Sequence, residues 1–328
     1  MPYNSIISRS NAASLVPVVV AAEILQNVPE LNPIMRLARR LPNMSTNQTR
    51  LPVMSALASA YFVSGDTGLK QTSQVTWENK YIDAEELAVI VPIPQAVLDD
   101  AGYDIWAQVR PEIERAISVA ITGAVLYGTN IPASWTTNLG VAGGLQGVCA
   151  SSAPHSVSLA AFADLYEAIL GEAAAGTDGL FMAVEADGFG VTGCVSHLTY
   201  RGLLRNVRTT DGQPIFKTSM QDPTRYELDS APIYFPTDGS MSAPAAAVGG
   251  MFVGQWDQLV YAMRQDITFK VLDQAVIQDN AGNIVYNLAQ QDMVALRAVI
   301  RLGFALPNPI NRVNQTAASR IPFAMLTA

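Results

Sequence analysis

The chain has 328 residues, of which 49% are hydrophobic and only 15% are charged, and its formal net charge is −8. An acidic chain of this kind is not expected to bind nucleic acid by neutralising phosphates over its whole surface, and two cysteines exclude a disulfide framework and a zinc cluster. The most apolar run near the start, residues 15–22, is interrupted by Pro17 and makes a poor signal peptide. Since no run reaches the roughly 18–20 apolar residues that cross a bilayer, we expect no membrane span.

Residues 1–30 are predicted to form an arm, because the prolines in and just after this stretch discourage one continuous helix. Residues 1–50 contain five arginines and two glutamates, a net charge of +3, which leaves −11 for the rest of the chain. Two interpretations stay open. A cationic arm could dock on the acidic body of a neighbouring copy, with Arg36, Arg39 and Arg40 as contact residues, or the arginines could be a scattered surface excess.

The next feature is a long extended segment, VTWENKYIDAEELAVIVPIP (75–94). In it, apolar side chains on one side alternate with a set on the other side that includes most of the charged residues. With QTRLPVMSALASAYFV (48–63) as its partner and the turn-rich SGDTGLK (64–70) as its tip, it predicts a hairpin over about residues 46–92. A two-stranded ribbon is marginal in water by itself, so we expect it to lie on another copy of the chain. The low share of charged residues agrees with surface buried between copies. The alternative is a pair of adjacent strands in an ordinary sheet.

A long helix is predicted over residues 103–128, where apolar residues recur at helical spacing. Asp104 is its expected N-cap and Gly128 its stop, while Pro111 implies a kink or a later beginning. The later chain is predicted to contain a helix at 158–170 capped by Ser158, a strand that runs into a helix at 194–208, a turn at 209–216, β-rich runs at 249–272, a hairpin turn at 279–283 and a last regular element at 293–306.

Motifs that would indicate catalysis are weak in this sequence. GFGVTG (188–193), with Asp211 downstream, matches a dinucleotide-binding pattern, which requires a strand before it and a helix opening from its glycines. The preceding LFMAVEA could be the strand, but VTGCVSHL does not begin a helix. His155 and His197 have no cysteine or histidine partner at ligand spacing. We therefore expect no enzyme, no cofactor and no metal site.

Four segments follow one another in a recognisable order: WENKYIDAEELAVIVPIPQAVLDDAGYDIWAQVRPEIERAI (77–117), CVSHLTYRGLLRNVRTTDGQPIF (194–216), MFVGQWDQLVYAMRQDITFKV (251–271) and DMVALRAVIRLG (292–303). The ordered set resembles the tailed-bacteriophage major capsid proteins of the Hong Kong 97 fold. The first segment is similar to the returning E-loop strand and spine helix of that family. The second is similar to its strand, helix and Asp-Gly turn, and the last two to its return through the peripheral domain.

The resemblance implies an α+β subunit with an N-arm, an E-loop hairpin, a peripheral domain with a long spine helix, and an axial domain. The implied divisions are an N-terminal arm (1–30), the first part of the peripheral domain (31–45), the E-loop (46–92), the peripheral domain with the spine helix (93–130), the axial domain (131–255), the peripheral return (256–304) and a C-terminal segment back on the axial domain (305–328). The implied E-loop contacts with a neighbouring copy are Lys70, Trp77, Glu78, Lys80 and Tyr81.

The resemblance also implies a function. Hexamers and pentamers of the chain would close into an icosahedral shell around double-stranded DNA, without sequence-specific binding, as the capsid of a virion assembled in the bacterial cytoplasm. A portal is an expected partner. Many relatives begin with a helical scaffolding segment, and because the arm here begins at Met1, scaffolding is expected to be a separate protein or already removed. The alternatives are an encapsulin, a shell of the same fold that encloses enzymes and tends to have a shorter arm and hairpin, and a nucleotide-dependent enzyme built around residues 188–193.

Some relatives in this family join an E-loop lysine to an asparagine of a neighbour, with a glutamate nearby to take the lysine proton. Lys70 would be the lysine here, and Asn280, Asn283 or Asn287 the acceptor. The glutamate has no counterpart, because no glutamate follows Glu227 in the sequence. Asp279 or Asp292, each with a shorter side chain, would have to replace it. We therefore expect a shell without covalent cross-links.

Overall fold

A computed structural model describes residues 32–63, 69–99, 105–171, 178–207, 226–229 and 231–328. Four of the features predicted above lie outside these residues: the arm, the centre of the hairpin tip, the N-cap at Asp104, and the turn at 209–216 with Asp211.

The described helices are Pro33–Leu37 (α1), Gln95–Asp99 (α2), Ile105–Tyr127 (α3), Ala133–Leu139 (α4), Gly144–Ala150 (α5), Leu165–Leu170 (α6), Leu180–Ala186 (α7), Leu198–Asn206 (α8) and Leu288–Gln291 (α9). The described strands are Arg39–Arg40 (β1), Gln48–Ala56 (β2), Thr76–Asp83 (β3), Glu85–Pro94 (β4), Ser156–Ser158 (β5), Gly193–Ser196 (β6), Tyr226–Leu228 (β7), Ala231–Tyr234 (β8), Met251–Gly254 (β9), Val260–Leu272 (β10), Val276–Gln278 (β11), Ile284–Asn287 (β12), Met293–Ala305 (β13) and Phe323–Thr327 (β14).

A four-stranded sheet in the order β1-β10-β13-β4 forms one part of the subunit. The long strands β10 and β13 are antiparallel, and β4 pairs with the other edge of β13. Helix α3 shares a hydrophobic core with this sheet, since Ile113, Ile117 and Ile121 are almost fully buried in the same cluster as Leu302 and Phe304. Residues four apart lie on one face of a helix, so the periodic apolar pattern places α3 against the sheet.

The predicted long helix is confirmed by α3 within the described residues. It ends at Tyr127, before Gly128, whose φ of +66° is the left-handed conformation that stops helices. It begins at Ile105 and continues through Pro111, so the alternative of a later beginning at the proline is wrong. A proline removes one hydrogen bond from a helix, and α3 nevertheless continues past Pro111, with Ile113 and Ile117 buried directly after it.

A six-stranded sheet in the order β5-β14-β9-β6-β8-β7 forms the second part. Its core packs side chains of α6, α7 and α8 against the strands. Trp256 lies where the two parts meet: its indole Nε1 donates a 2.9 Å hydrogen bond to the carbonyl of Gly193, and its ring packs edge-on against Phe323, 5.2 Å between centroids. The strand-to-helix prediction at 194–208 is confirmed by β6 and α8.

Two of the local predictions in this second part are wrong. The helix expected at 158–170 is shorter, Leu165–Leu170, and its N-cap is Asp164, whose carboxylate accepts a 3.0 Å hydrogen bond from the backbone N–H of Glu167. Ser158 instead ends strand β5, which pairs with the C-terminal strand β14. LFMAVEA, considered as a strand, is helix α7.

Strands β2 and β3 form a separate antiparallel ribbon, which we call the hairpin, residues 48–83. The continuous extended segment expected at 75–94 is therefore two strands, since β4 belongs to the four-stranded sheet. The division has a physical cause at Asp83. Its carbonyl accepts a hydrogen bond from the indole of Trp135 and its carboxylate one from Asn138, each 3.1 Å long. The hairpin therefore leaves the body of the subunit at Asp83.

Candidate inter-subunit surface

The hairpin has two chemically different faces. Residues directly opposite in an antiparallel pair share a face, and the register pairs Met54 with Trp77 and Arg50 with Tyr81. The other face carries Val53, which is 8% exposed, opposite Glu78. One face of the ribbon thus packs partly on its own subunit. The other, which we call the outer face, is exposed along β3 at Trp77 and Tyr81, whereas on β2 Met54 also lines a cleft toward the C-terminal part of the same subunit.

The outer face exposes aromatic side chains, with Asn79 between them and Arg50 opposite Tyr81. Trp77 is 66% exposed, Tyr81 43% and Met54 39%. Further out along the hairpin, Phe62 and Leu69 are almost fully exposed. Exposed large aromatic side chains of this kind are frequent at surfaces that contact another protein. The sequence singled out Trp77 and Tyr81 but missed Met54, which the strand register alone brings beside Trp77.

The charged residues predicted for this contact lie elsewhere on the hairpin. Glu78 and Lys80 form an ion pair of 2.7 Å, with each side chain about half exposed. Both line a cleft of about 290 Å³ between the hairpin and the C-terminal part of the same subunit. Lys70 is exposed near the end of the hairpin. The structure thus places Trp77 and Tyr81 on the outer face and the Glu78–Lys80 pair at the cleft. Lys70 lies apart from both groups, near the end of the hairpin.

The three arginines predicted for arm contacts are exposed on the body of the subunit. Arg36 lies in α1 with its guanidinium 5.2 Å from the ring centroid of Tyr234, a cation–π contact. Arg39 and Arg40 form the short strand β1 beside β10, and Arg40 donates a 3.3 Å hydrogen bond to Asn43. Strand pairing fixes the backbone of Arg39 and Arg40, and all three side chains remain exposed at the surface.

The residues predicted for a cross-link lie in two parts of the structure: Lys70 is near the end of the hairpin, and the candidate asparagines are in or beside the β11–β12 turn. Asn283 lies in the β11–β12 turn, where the predicted hairpin turn is confirmed, and donates a 3.1 Å hydrogen bond to Asp279. This bond and those from backbone N–H groups lower the pKa of the Asp279 carboxyl. A carboxylate with a lowered pKa is a weak base, which makes Asp279 a poor replacement for the missing glutamate. Asp292, the other candidate base, follows α9 in the left-handed conformation.

Features considered for catalysis take other roles. GFGVTG follows helix α7 and leads into strand β6, the reverse of the strand-then-helix order that dinucleotide binding requires. His197 caps α8 by accepting a 3.2 Å hydrogen bond from Thr199 N–H. Within the described residues, no group of three His, Cys, Asp or Glu side chains is placed to hold a metal ion. No helix in the described ranges combines the length and the apolarity needed to cross a bilayer.

A buried polar cluster was not predicted from the sequence. His155 Nε2 lies 3.1 Å from Asp187 Oδ2, and the His155 side chain is 1% exposed. The Asp187 carboxylate also accepts hydrogen bonds from the backbone N–H of Ile321, 2.7 Å, and from Asn314 Nδ2, 2.8 Å. These residues are far apart in the sequence and carry no motif, so only the folded chain brings them together.

This cluster predicts a pH dependence of stability. Burial lowers the pKa of His155 from 6.5, although the neighbouring Asp187 carboxylate opposes the shift. Between the lowered value and about 6.5 the unfolded chain binds a proton that the folded chain does not, so the free energy of unfolding falls as pH falls through that window, by at most about 1.4 kcal/mol per pH unit.

Urea unfolding of the unassembled chain between pH 7.5 and about pH 5 measures this effect. His155→Gln, which keeps an N–H donor for Asp187 but cannot titrate, is expected to flatten the dependence in the upper part of the range. Equal slopes for the two proteins would contradict the assignment to His155.

Comparisons with known proteins agree on one family. A family model described as the phage capsid family matches residues 12–311. A solved structure from Microbacterium phage Oxtober96 is 27% identical with a TM-score of 0.73, covering 90% of each chain. One from Mycobacterium phage Adephagia is 28% identical with a TM-score of 0.71, covering 90% of this chain and 89% of that chain. A third, described as "Capsid of native GTA particle computed with C5 symmetry", has 18% identity, a TM-score of 0.58 and 96% and 93% coverage. No curated protein matches the chain.

Proposed function

This chain belongs to the phage capsid family, and we propose that its hexamers and pentamers close into an icosahedral shell around a double-stranded DNA phage genome. It is a phage major capsid protein with the α+β fold of the Hong Kong 97 type, a structural protein of the virion that assembles with copies of itself. In the proposed assembly the hairpin is an E-loop, which lies with its outer face across an adjacent subunit.

The observation that carries this proposal is the exposed outer face of the hairpin. Trp77 and Tyr81 stand on a ribbon whose exposed side no described element of the same subunit covers. A two-stranded ribbon with exposed aromatic side chains on one face gains stability when a second layer packs on them. A neighbouring copy in a closed shell supplies that layer for every subunit at once.

The acidic balance of the chain is compatible with an enclosed genome. A shell holds DNA by closure, so the protein does not have to neutralise phosphates, and its net charge of −8 removes a general attraction to them. A portal through which DNA enters, a separate scaffolding protein and assembly in the bacterial cytoplasm complete the proposal.

Electron microscopy of purified particles, with and without nuclease treatment, tests the function. Closed shells that protect double-stranded DNA from the nuclease are expected. Closed shells that enclose proteins in place of DNA would favour an encapsulin, and single subunits under all conditions would contradict shell assembly.

The arginines on the body predict a salt dependence of the shell. If Arg36, Arg39 and Arg40 contact acidic groups of a neighbour, replacing them with Gln lowers the salt concentration at which shells dissociate. Exposed ion pairs contribute about 0.2–1 kcal/mol each and are screened beyond about 8–10 Å at moderate ionic strength. Arg297→Gln, an exposed arginine on β13, is the matched control. An unchanged dissociation midpoint in the triple variant, measured by light scattering, would make these charges irrelevant to the contact.

A further inference from the structure

The C-terminal loop, residues 306–322, connects β13 to β14 without a helix or a strand of its own. A connection of this length in a compact domain usually has a function. Its sequence spaces three asparagines evenly, Asn308, Asn311 and Asn314. Each of the three is used in holding the loop in place.

Asn308 and Arg320 close the loop on itself. The guanidinium of Arg320 is buried, and donates to the side-chain and backbone oxygens of Asn308, 3.1 and 2.9 Å, and to the carbonyl of Asn314, 3.1 Å. Asn308 Nδ2 in turn donates to the carbonyl of Arg320, 2.8 Å. Three charge-assisted hydrogen bonds to one planar group hold the two ends of the loop at a fixed separation.

Asp187 fastens this closed loop to the body of the subunit. Besides the carboxylate bonds to Ile321 and Asn314, the backbone carbonyl of Asp187 accepts a 2.7 Å hydrogen bond from Asn311 Nδ2. The next residue, Gly188, has a φ of +80°, and a Cβ there would lie 2.7 Å from Cβ of Val313. The loop is therefore seated as closely on the turn after α7 as the backbone allows.

The other side of the same loop contacts the hairpin. The backbone N–H of Ile310 donates to the carbonyl of Met54, 3.3 Å, and Arg312 donates to the carbonyl of Ala58, 3.0 Å. Both acceptors lie on the outgoing half of the hairpin, at and beyond the end of its pairing with β3. The contact spans the 290 Å³ cleft that separates the hairpin from the loop.

We propose that Asp187 is a positioning residue for assembly: by fastening the C-terminal loop, it fixes the direction in which the hairpin leaves the subunit. Asp83 holds the hairpin at its base, and the loop holds it again further out. Two separated points of attachment fix the direction of the hairpin, whereas a hairpin attached at one point could rotate about it. The inference depends on the proposed function for its biological meaning, because direction matters only if the hairpin must reach a neighbour.

The test measures hairpin direction in the unassembled full-length chain, so it does not depend on shell formation. Spin labels are placed at Asn79→Cys on the hairpin and Ala116→Cys on α3, both exposed positions. The native Cys149 and Cys194 are buried, and burial raises the pKa of both thiols, so they do not compete for the label. The distribution of label-to-label distances then reports how far the hairpin swings.

Asp187→Ala and Arg312→Ala are each expected to widen this distance distribution by about twofold or more, because each removes one link between body and hairpin. Asn314→Ala removes one donor to Asp187 at a half-exposed position, and serves if Asp187→Ala does not fold. Gln315→Ala, an exposed residue of the same loop, is the control and should leave the width unchanged.

An unchanged width in the folded Arg312→Ala and Asn314→Ala proteins would overturn the proposal, and so would an equal widening by Gln315→Ala. Shell yield is measured on the same variants. A wider distribution with an undiminished shell yield would support the attachment but count against the E-loop role of the hairpin. A reduced yield with an unchanged width would overturn the attachment and leave the proposed function standing.

Discussion

Deleting residues 57–75 and joining Ala56 to Thr76 through Asn-Gly is expected to leave a folded subunit that makes no stable shells. Ala56 and Thr76 are cross-strand partners, so a two-residue turn can connect them. The deleted segment contains Phe62 and Leu69, which are 105% and 88% exposed, so the core of the subunit loses little apolar contact. In the shell, each 100 Å² of apolar surface left uncovered costs roughly 2.5 kcal/mol per contact. That is more than a tenfold loss in each association constant.

Circular dichroism and sedimentation of the same preparation separate the two parts of this result. A replacement of residues 57–75 by a Gly-Ser segment of equal length is the matched control, because it keeps the reach of the hairpin but removes its side chains. Shells at normal yield from the deletion, or aggregation with loss of circular dichroism, would refute the assembly role of the hairpin.

Mature particles boiled in detergent are expected to run as one band near 35 kDa. A lysine amine with a pKa near 10.4 attacks an amide only after a base has taken its proton. The sequence after Glu227 contains no glutamate, and hydrogen bonds hold the pKa of Asp279 below its usual value. The shell is therefore expected to be held by non-covalent contacts.

The decisive comparison for this prediction is between the unmodified chain and Lys70→Ala. Both should give the same single band, and Lys80→Ala serves as the matched control on the hairpin. A ladder of multimers in the unmodified chain that disappears in Lys70→Ala would show that a cross-link forms after all.

Strong local periodicity made several elements predictable. Ile113, Ile117 and Ile121 recur at the spacing of one helix face, and the helix forms where the pattern indicates it. The two arms of the hairpin alternate over enough residues to predict a ribbon, and β2 and β3 pair as expected. The fold class followed from these elements together with the resemblance, whereas the division into N-arm, E-loop, peripheral and axial domains stays a prediction.

Contacts between distant parts of the chain explain what the sequence did not reveal. The alternation at 75–94 does not show that the ribbon ends at Asp83. The residues that bond to Asp83, Trp135 and Asn138, are about fifty positions later in the sequence, on helix α4. Ser158 is a good helix cap by its chemistry, but pairing with the C-terminal strand places it in a sheet. The outer face was half predicted, since Trp77 and Tyr81 stand out in the sequence and Met54 does not.

A density map of the assembled particle that resolves the hairpin shows directly whether the hairpin acts as an E-loop between subunits. We expect residues 48–83 to extend over an adjacent subunit, with Trp77 and Tyr81 covered by that subunit. A hairpin that folds back on its own subunit, or that stands in solvent with Trp77 uncovered, would contradict this expectation.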